Sequence, residues 1–159
     1  MRSLDTWFDE YAVSHQNPIN KLIHWICVPS IFFSIVALVS SIPLESLQNA
    51  APEWLSWGAN WAGAVILFVM LFYFRLSITM GLAMTGFSIL CLIGAEALTF
   101  LPIPVWTTAL IIFATAWVGQ FIGHHIEGKK PSFLKDLQFL LIGPAWLMGF
   151  VFRSVGLRY

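Results

Sequence analysis

Four histidines are the residues of this sequence whose type and spacing suggest chemistry. His15 and His24 lie near the N-terminus, and His124 and His125 are adjacent near the other end of the chain. Neutral imidazole is a ligand for iron, zinc, copper and nickel, and two short segments that meet can offer three or four nitrogens to one ion. We therefore predict a metal site where the two segments come together.

Residues close to the histidines are candidates for supporting roles. The Asn17-Pro18 pair predicts the bend that His15 and His24 need, because they are too far apart for one helical turn. Glu127 follows His124 by three positions, so on a continuing helix the two residues share a face. Glu127 could then serve as a ligand or as a partner of a ligand. The His125 side chain points about 100° away from that of His124. Each histidine alone is equally compatible with an interfacial residue bonded to a carbonyl or lipid headgroup. Further polar neighbours could orient the rings or a polar ligand, or simply cap helices: Gln16, Asn17, Asn20 and Gln120.

The composition predicts a membrane protein. Hydrophobic residues make up 58% of the chain and charged residues 10%, and the mean hydropathy is +0.80, whereas a soluble domain carries roughly 25% charged residues. The net charge is zero, so we expect no nucleic-acid partner. We predict a single transmembrane domain over residues 1–159, in which the first span is the targeting element because acids occupy the place of a signal peptide's apolar stretch.

Five apolar segments predict an all-α integral membrane helical bundle, with four transmembrane helices and a short fifth segment that is re-entrant or kinked. That last segment, about 137–152, is short and contains Gly143-Pro144. An amphipathic stretch before the first span predicts an interfacial helix with Leu4, Trp7, Phe8 and Tyr11 on its apolar face. The spans are expected at about 23–42, 60–74, 78–100 and 105–122, with a surface loop over 126–136.

The distribution of basic residues predicts the orientation, because Lys and Arg accumulate in cytoplasmic loops. An inside N-terminus puts most of them, and all four histidines, on the cytoplasmic side; Arg153 and Arg158 join them if the last segment turns back. Glu96, within an apolar span, either snorkels to the outer interface or has a site role. The basic residues on the cytoplasmic side are Arg2, Lys21, Arg75, Lys129, Lys130 and Lys135.

Two further residue types predict packing rather than chemistry. Cys27 and Cys91 lie in apolar segments without a partner thiol nearby in sequence, so we expect small buried side chains and no disulfide. Five glycines are expected to allow close approach of helices: Gly63, Gly81, Gly86, Gly94 and Gly119.

Two motifs resemble those of one membrane family. The first is Tyr11 followed by the stretch from Ser14 to Pro29, and the second is the stretch from Gln120 to His124, then Glu127, Pro131 and Gly143-Pro144. In order and spacing, over essentially the whole chain, they are similar to the iron-dependent 2-hydroxy fatty acid dioxygenases of fatty acid α-oxidation.

The resemblance implies Fe(II), O₂ as co-substrate, and conversion of a 2-hydroxy fatty acid to the acid one carbon shorter without 2-oxoglutarate, in a bacterial inner membrane or the endoplasmic reticulum. It implies catalytic and metal-binding roles for His15, His24 and His124. Glu127 occupies a polar motif position and is a further candidate ligand, as is His125, although that position often holds other residue types in the family. Candidate substrate contacts are Asn20, Lys21 and Gln120.

Three other classes of protein are compatible with membrane histidines. A di-iron desaturase has about eight histidines in its boxes, which four cannot supply, and a bis-histidine haem protein would place its ligands deeper in the bundle. A non-catalytic metal-binding membrane protein, or a small lipid transporter or scaffold, remains the alternative. Metal content distinguishes it from the enzyme.

Overall fold

The computed structural model describes residues 3–42, 44–131 and 138–159. Arg2, Pro43, and residues 132–136 of the predicted loop over 126–136, Lys135 among them, lie outside these residues. The described chain is all-α, as predicted, and the fold is formed by seven helices. They are α1 (Leu4–Ala12), α2 (Pro18–Ser40), α3 (Glu45–Ala50), α4 (Trp61–Leu76), α5 (Ile78–Ala97), α6 (Val105–Glu127) and α7 (Phe139–Ser154), with 3₁₀ turns at Glu53–Gly58 and Leu98–Phe100.

Among the described residues, three helical segments are long and apolar enough to cross a bilayer: Pro18–Ser40, Ile78–Phe100 and Val105–Glu127. Two shorter apolar helices, α4 and α7, accompany them. Large apolar side chains face outward, including Leu67, Phe68 and Ile78, each at least 70% exposed. Such a surface is consistent with a membrane protein, because lipid is as apolar as the side chains.

The predicted end of the fourth span at residue 122 was too early. Helix α6 continues through His124 to Glu127, and Gly128 caps it with a φ of 69°. The Lys129 N–H donates to the His124 carbonyl over 3.3 Å, which closes the helix end in the manner of a Schellman motif. The left-handed glycine, and not the Gly-His-His sequence before it, therefore sets the boundary.

Helix α2 is the centre of the bundle and packs most extensively against α6. Small residues allow this approach: a Cβ on Gly119 would lie 2.6 Å from Cys27 Sγ, and one on Gly123 would overlap the Asn20 side-chain oxygen. Gly81 and Gly94 are similarly crowded by side chains of neighbouring helices, as predicted. Gly63 is crowded only by the backbone of Gly58 in the preceding 3₁₀ turn, and Gly86 has nothing within 4 Å of its would-be Cβ, so the prediction was wrong for these two.

Helix α1 has the predicted amphipathic form. Its buried residues are Leu4, Trp7, Phe8 and Tyr11, and this face packs on α7, where Trp7 and Phe139 meet edge to face at 5.3 Å between ring centroids. Helix α7 is continuous through Pro144, so Gly143-Pro144 does not interrupt it.

The two ends of the bundle are distinct. Ala37, Ala95 and Ala109 form one buried cluster, so the end of α2, the end of α5 and the start of α6 lie together. The histidines are at the opposite ends of α2 and α6. Helix α7 contacts the histidine end: the Tyr73 hydroxyl near the end of α4 donates to the Leu141 carbonyl over 2.7 Å.

Candidate metal centre

The junction between α1 and α2 brings His15 to His24. Helix α1 ends at Ala12, and Asn17 caps α2 by accepting a hydrogen bond from the Ile19 N–H over 2.9 Å, with Pro18 at the first helical position. The chain therefore turns at Asn17-Pro18, as predicted. Consequently His15, outside both helices, meets His24 in the second turn of α2, with Nε2 atoms 2.9 Å apart.

The hydrogen bonds of these two rings fix their tautomers. His15 Nδ1 lies 2.6 Å from the Tyr11 carbonyl oxygen and His24 Nδ1 lies 2.8 Å from the Asn20 carbonyl oxygen. A carbonyl only accepts, so each Nδ1 carries the proton and donates. Each Nε2 then presents a lone pair, and the two lone pairs face each other, which is unfavourable without a cation beside them.

His124 completes the cluster from α6. Its ring centroid lies 5.0 Å from those of His15 and His24. One ring nitrogen from each of the three histidines lies within 4.8 Å of the others, and all three residues are buried. Buried His124 Nδ1 has no hydrogen-bond partner among the residues that the structure describes. The three histidines therefore have the spacing and the unsatisfied nitrogens of a metal site.

Burial also keeps His15 neutral. Burial first, and then the neighbouring His24, lower the pKa of His15 to about 3, against a smaller opposing effect of the hydrogen bond to Tyr11. Metals bind the neutral imidazole. His15 is thus available as a ligand throughout the physiological pH range.

Glu127 fastens the His15 segment to the end of α6. One carboxylate oxygen accepts from the Gln16 N–H over 2.8 Å, and the other accepts from the Asn17 N–H over 2.8 Å and from the Asn20 side-chain amide over 3.0 Å. The Asn20 amide also donates to the Ser14 carbonyl over 3.3 Å. A metal-binding histidine depends on such outer contacts for its orientation. Glu127 therefore holds together the segments that carry all three histidines.

An apolar cavity of about 430 Å³ begins at this cluster. Ligand cavities in proteins are typically about 300–1,000 Å³. From His124 and Gln120 it extends along α2 from Val28 to Val36, a distance of about 12 Å at 1.5 Å per residue. Helices α4 and α7 complete its wall with, among others, Val65, Ile66, Val69, Phe139, Gly143 and Pro144.

The predicted site residues occupy different places around this centre. His15, His24 and His124 are brought together, while His125 is exposed. Gln120 lines the cavity. Asn20 is fully buried as a link between Ser14 and Glu127, and Lys21 is half-buried one position further round α2. The assignment of individual roles to these residues stays a prediction.

Sequence reasoning passed over Tyr11 and the contribution of α7. The Tyr11 ring stacks on His15 with centroids 4.0 Å apart and planes 9° from parallel, and it lines the cavity. Its position four residues before His15, in the same motif, was the available signal. No sequence signal indicated that Gly143 would lie close to Tyr11 and the histidine cluster, because this contact depends on how α7 folds back.

The fold and the histidine cluster define a class of protein: an all-α protein, consistent with a membrane protein, in which three buried histidines that could hold a metal ion lie beside an apolar cavity. A protein-family model described as 2-hydroxy-palmitic acid dioxygenase Mpo1-like matches residues 1–155. The chain therefore belongs to the Mpo1-like family, as the two motifs predicted.

One relative among curated proteins is the 2-hydroxy-palmitic acid dioxygenase MPO1 of Saccharomyces cerevisiae. It is 27% identical over 140 residues, which cover 87% of this chain and 73% of the yeast protein. No solved structure matches the chain significantly. The family and the cluster together indicate a dioxygenase fold with a candidate metal site.

Proposed function

We propose that this protein is an Fe(II)-dependent dioxygenase that converts 2-hydroxy fatty acids to fatty acids one carbon shorter. One observation carries the proposal: the Nε2 atoms of His15 and His24 lie 2.9 Å apart with their lone pairs facing each other, and His124 lies beside them at the end of an apolar cavity. A metal ion satisfies the nitrogens, and an acyl chain fits the cavity.

His15, His24 and His124 would hold the iron. Fe(II), when bound there, would supply electron exchange with O₂ and Lewis-acid attraction for the polar end of the substrate. The protein keeps the His15 and His24 rings oriented through their Nδ1–H bonds to the Tyr11 and Asn20 carbonyls. This arrangement leaves only the Nε2 atoms available for the ion.

The proposed reaction balances without a further reductant. R–CH(OH)–COOH and O₂ give R–COOH, CO₂ and H₂O. The bond between the carboxyl carbon and the hydroxyl-bearing carbon breaks, and new carbon–oxygen bonds form. The electrons lost by these two carbons reduce both atoms of O₂. A reaction of this kind needs no 2-oxoglutarate. Burial of the histidines contributes by limiting the access of water to the reacting end of the substrate.

The acyl chain occupies the cavity along α2. Ile35 and Val65 line the cavity and are also 40% and 45% exposed on the apolar surface. The cavity therefore opens sideways between α2 and α4, where a bilayer would surround the protein. A membrane-dissolved fatty acid can enter there with its tail remaining in an apolar environment throughout.

We further infer four crossings, by α2, α4, α5 and α6, with α7 packed at the histidine end. The contacts of α7 with Tyr73, with Trp25 and with α1 support this topology. Arg153 then lies on the same side as Lys129, which the positive-inside rule makes cytoplasmic. The histidine site would face the cytoplasm in a bacterial inner membrane or the endoplasmic reticulum.

The test is metal analysis combined with oxygen uptake. The purified protein in detergent is reconstituted anaerobically with Fe(II), freed of excess metal, and supplied with O₂ and 2-hydroxyhexadecanoate. We expect about one iron per chain and consumption of one O₂ per pentadecanoate formed, with no uptake on hexadecanoate. Bound iron without uptake would contradict the enzymatic proposal and favour a non-catalytic metal-binding protein; absence of stoichiometric metal would contradict the site itself.

A further inference from the structure

Tyr11 is a buried residue beside the histidine cluster, and its hydroxyl has no role in the reaction described above. Tyr11 is 6% exposed, and its ring stacks on the His15 ring and contacts the Trp146 ring, whose centroid lies 5.2 Å away. It comes from the last turn of α1, four residues before His15. The ring is therefore fixed relative to the histidine cluster.

The Tyr11 hydroxyl is directed to α7 at the cavity wall. It lies 3.0 Å from the position that a Cβ on Gly143 would take, and both residues line the cavity. The hydrogen bonds of Tyr11 use its carbonyl oxygen, to Ser14 and His15. Within the described part of the chain, its hydroxyl has no hydrogen-bond partner, so the hydroxyl can bind a ligand.

A fatty acid bound at this centre brings a carboxylate that needs hydrogen-bond donors. No lysine or arginine is among the described residues that line the cavity, and the polar side chains there are Tyr11, Gln120, His124 and Gln138. His124 belongs to the histidine cluster, and Gln120 lies one turn before it on α6. Burying a carboxylate without donors is costly. Tyr11, whose ring stacks on His15, is a donor at the histidine end whose hydroxyl has no hydrogen-bond partner among the described residues.

We propose that the Tyr11 hydroxyl donates a hydrogen bond to the carboxylate of the bound fatty acid and so positions its reacting end at the metal centre. The inference rests on the proposed function for the identity of the ligand. Gly143 contributes to the same arrangement, because a side chain at this position would displace the Tyr11 hydroxyl.

The Tyr11→Phe variant tests this inference, since it keeps the stacked ring and removes only the hydroxyl. Binding is measured anaerobically on the iron-loaded protein with 2-hydroxyhexadecanoate, and with hexadecane-1,2-diol, which lacks the carboxylate. We expect the affinity for the acid to fall about 10- to 100-fold, as for the loss of a hydrogen bond to a charged group. The affinity for the diol should change several-fold less, and the iron content should not change.

A double-mutant cycle with Gly143→Ala provides the second measurement. The added methyl group meets the Tyr11 hydroxyl at 3.0 Å, but its next contacts, with Val28 and the Tyr11 ring, are at 3.4 and 3.6 Å. We expect Gly143→Ala to weaken binding of the acid in the wild-type background and to have little effect in the Tyr11→Phe background. Additive effects would contradict the shared role.

The outcomes separate this inference from the proposed function. Unchanged acid affinity in Tyr11→Phe, with wild-type iron and turnover, would overturn the inference and leave the enzyme intact. Loss of iron in this variant would overturn it too, because the hydroxyl would then support the metal site. If the wild-type protein binds the acid without turnover, and Tyr11→Phe weakens that binding, the result would support the inference and contradict the proposed function.

Discussion

The two ends of the bundle are built from the same helices by different means. At the end marked by Ala37, Ala95 and Ala109, small apolar residues pack closely, and the acid nearest to them, Glu96, is exposed. At the other end His15, Asn20 and His24 are at most 1% exposed.

The difference is informative because buried polar groups are unfavourable unless they are bonded. A bundle that needed only stability could pack alanine and glycine at both ends. The histidine end instead buries nitrogens whose bonding is incomplete in the protein alone, which indicates that a ligand completes it. The cavity that begins at this end is lined mostly by apolar side chains, as an acyl chain requires.

Replacing one histidine of the cluster should have the largest effect on the histidine end, because it removes a nitrogen that would bind the metal. His24→Ala removes one of the two facing Nε2 atoms and leaves the His15 nitrogen unpaired. We expect iron binding to weaken by more than about 100-fold, beyond the loss typical of outer contacts, and turnover to disappear. His125→Ala, at the adjacent exposed position to His124, should retain both. Wild-type iron content in His24→Ala, measured by mass spectrometry of the metal, would remove His24 from the ligand set.

Glu127→Gln should have the next largest effect. An amide offers one acceptor oxygen, whereas the carboxylate accepts from two backbone N–H groups and from Asn20. We expect iron affinity to fall about 10-fold, within the range for outer contacts of metal ligands. Competition with a chelator measures this affinity. The matched change Glu96→Gln at the other end should have no effect, and equal losses in the two variants would argue against a specific role for Glu127.

A change deep in the cavity should have a smaller and more selective effect. Val36 is buried at the far part of the cavity wall, and Val36→Phe would fill space that the end of a long chain requires. We expect turnover of 2-hydroxyhexadecanoate to fall about 10-fold while that of 2-hydroxydecanoate is retained, corresponding to about 1.4 kcal/mol of discrimination.

Leu67→Phe is the control for the cavity change, because Leu67 is 70% exposed on the outer apolar surface. It should leave the preference for chain length unchanged. A uniform loss of activity on both substrates in Val36→Phe would indicate general damage to the fold and would refute chain-length selection at this position.

Much of the fold could be predicted because each signal was local. Hydropathy located the long helices, and the spacing of Leu4, Trp7, Phe8 and Tyr11 predicted the buried face of α1. The bend at Asn17-Pro18 followed from the chemistry of a capping residue and a proline. The end of the fourth span was predicted too early and continuation of its helix stayed open, because no local rule decides between an end at Gly123 and a continuation to the left-handed Gly128.

The sequence by itself determined the chemical inventory: apolar helices, three motif histidines at their ends, and a second motif that resembles a dioxygenase family. Only the tertiary structure decided how these groups meet. The facing of the Nε2 atoms depends on the Tyr11 and Asn20 carbonyl oxygens, which accept hydrogen bonds from the Nδ1 atoms, and the cavity depends on α7 folding back against α2 and α4. Backbone carbonyls are the same in every residue, and the contacts of α7 join residues distant in sequence. Neither leaves a pattern that can be read from the order of side chains alone.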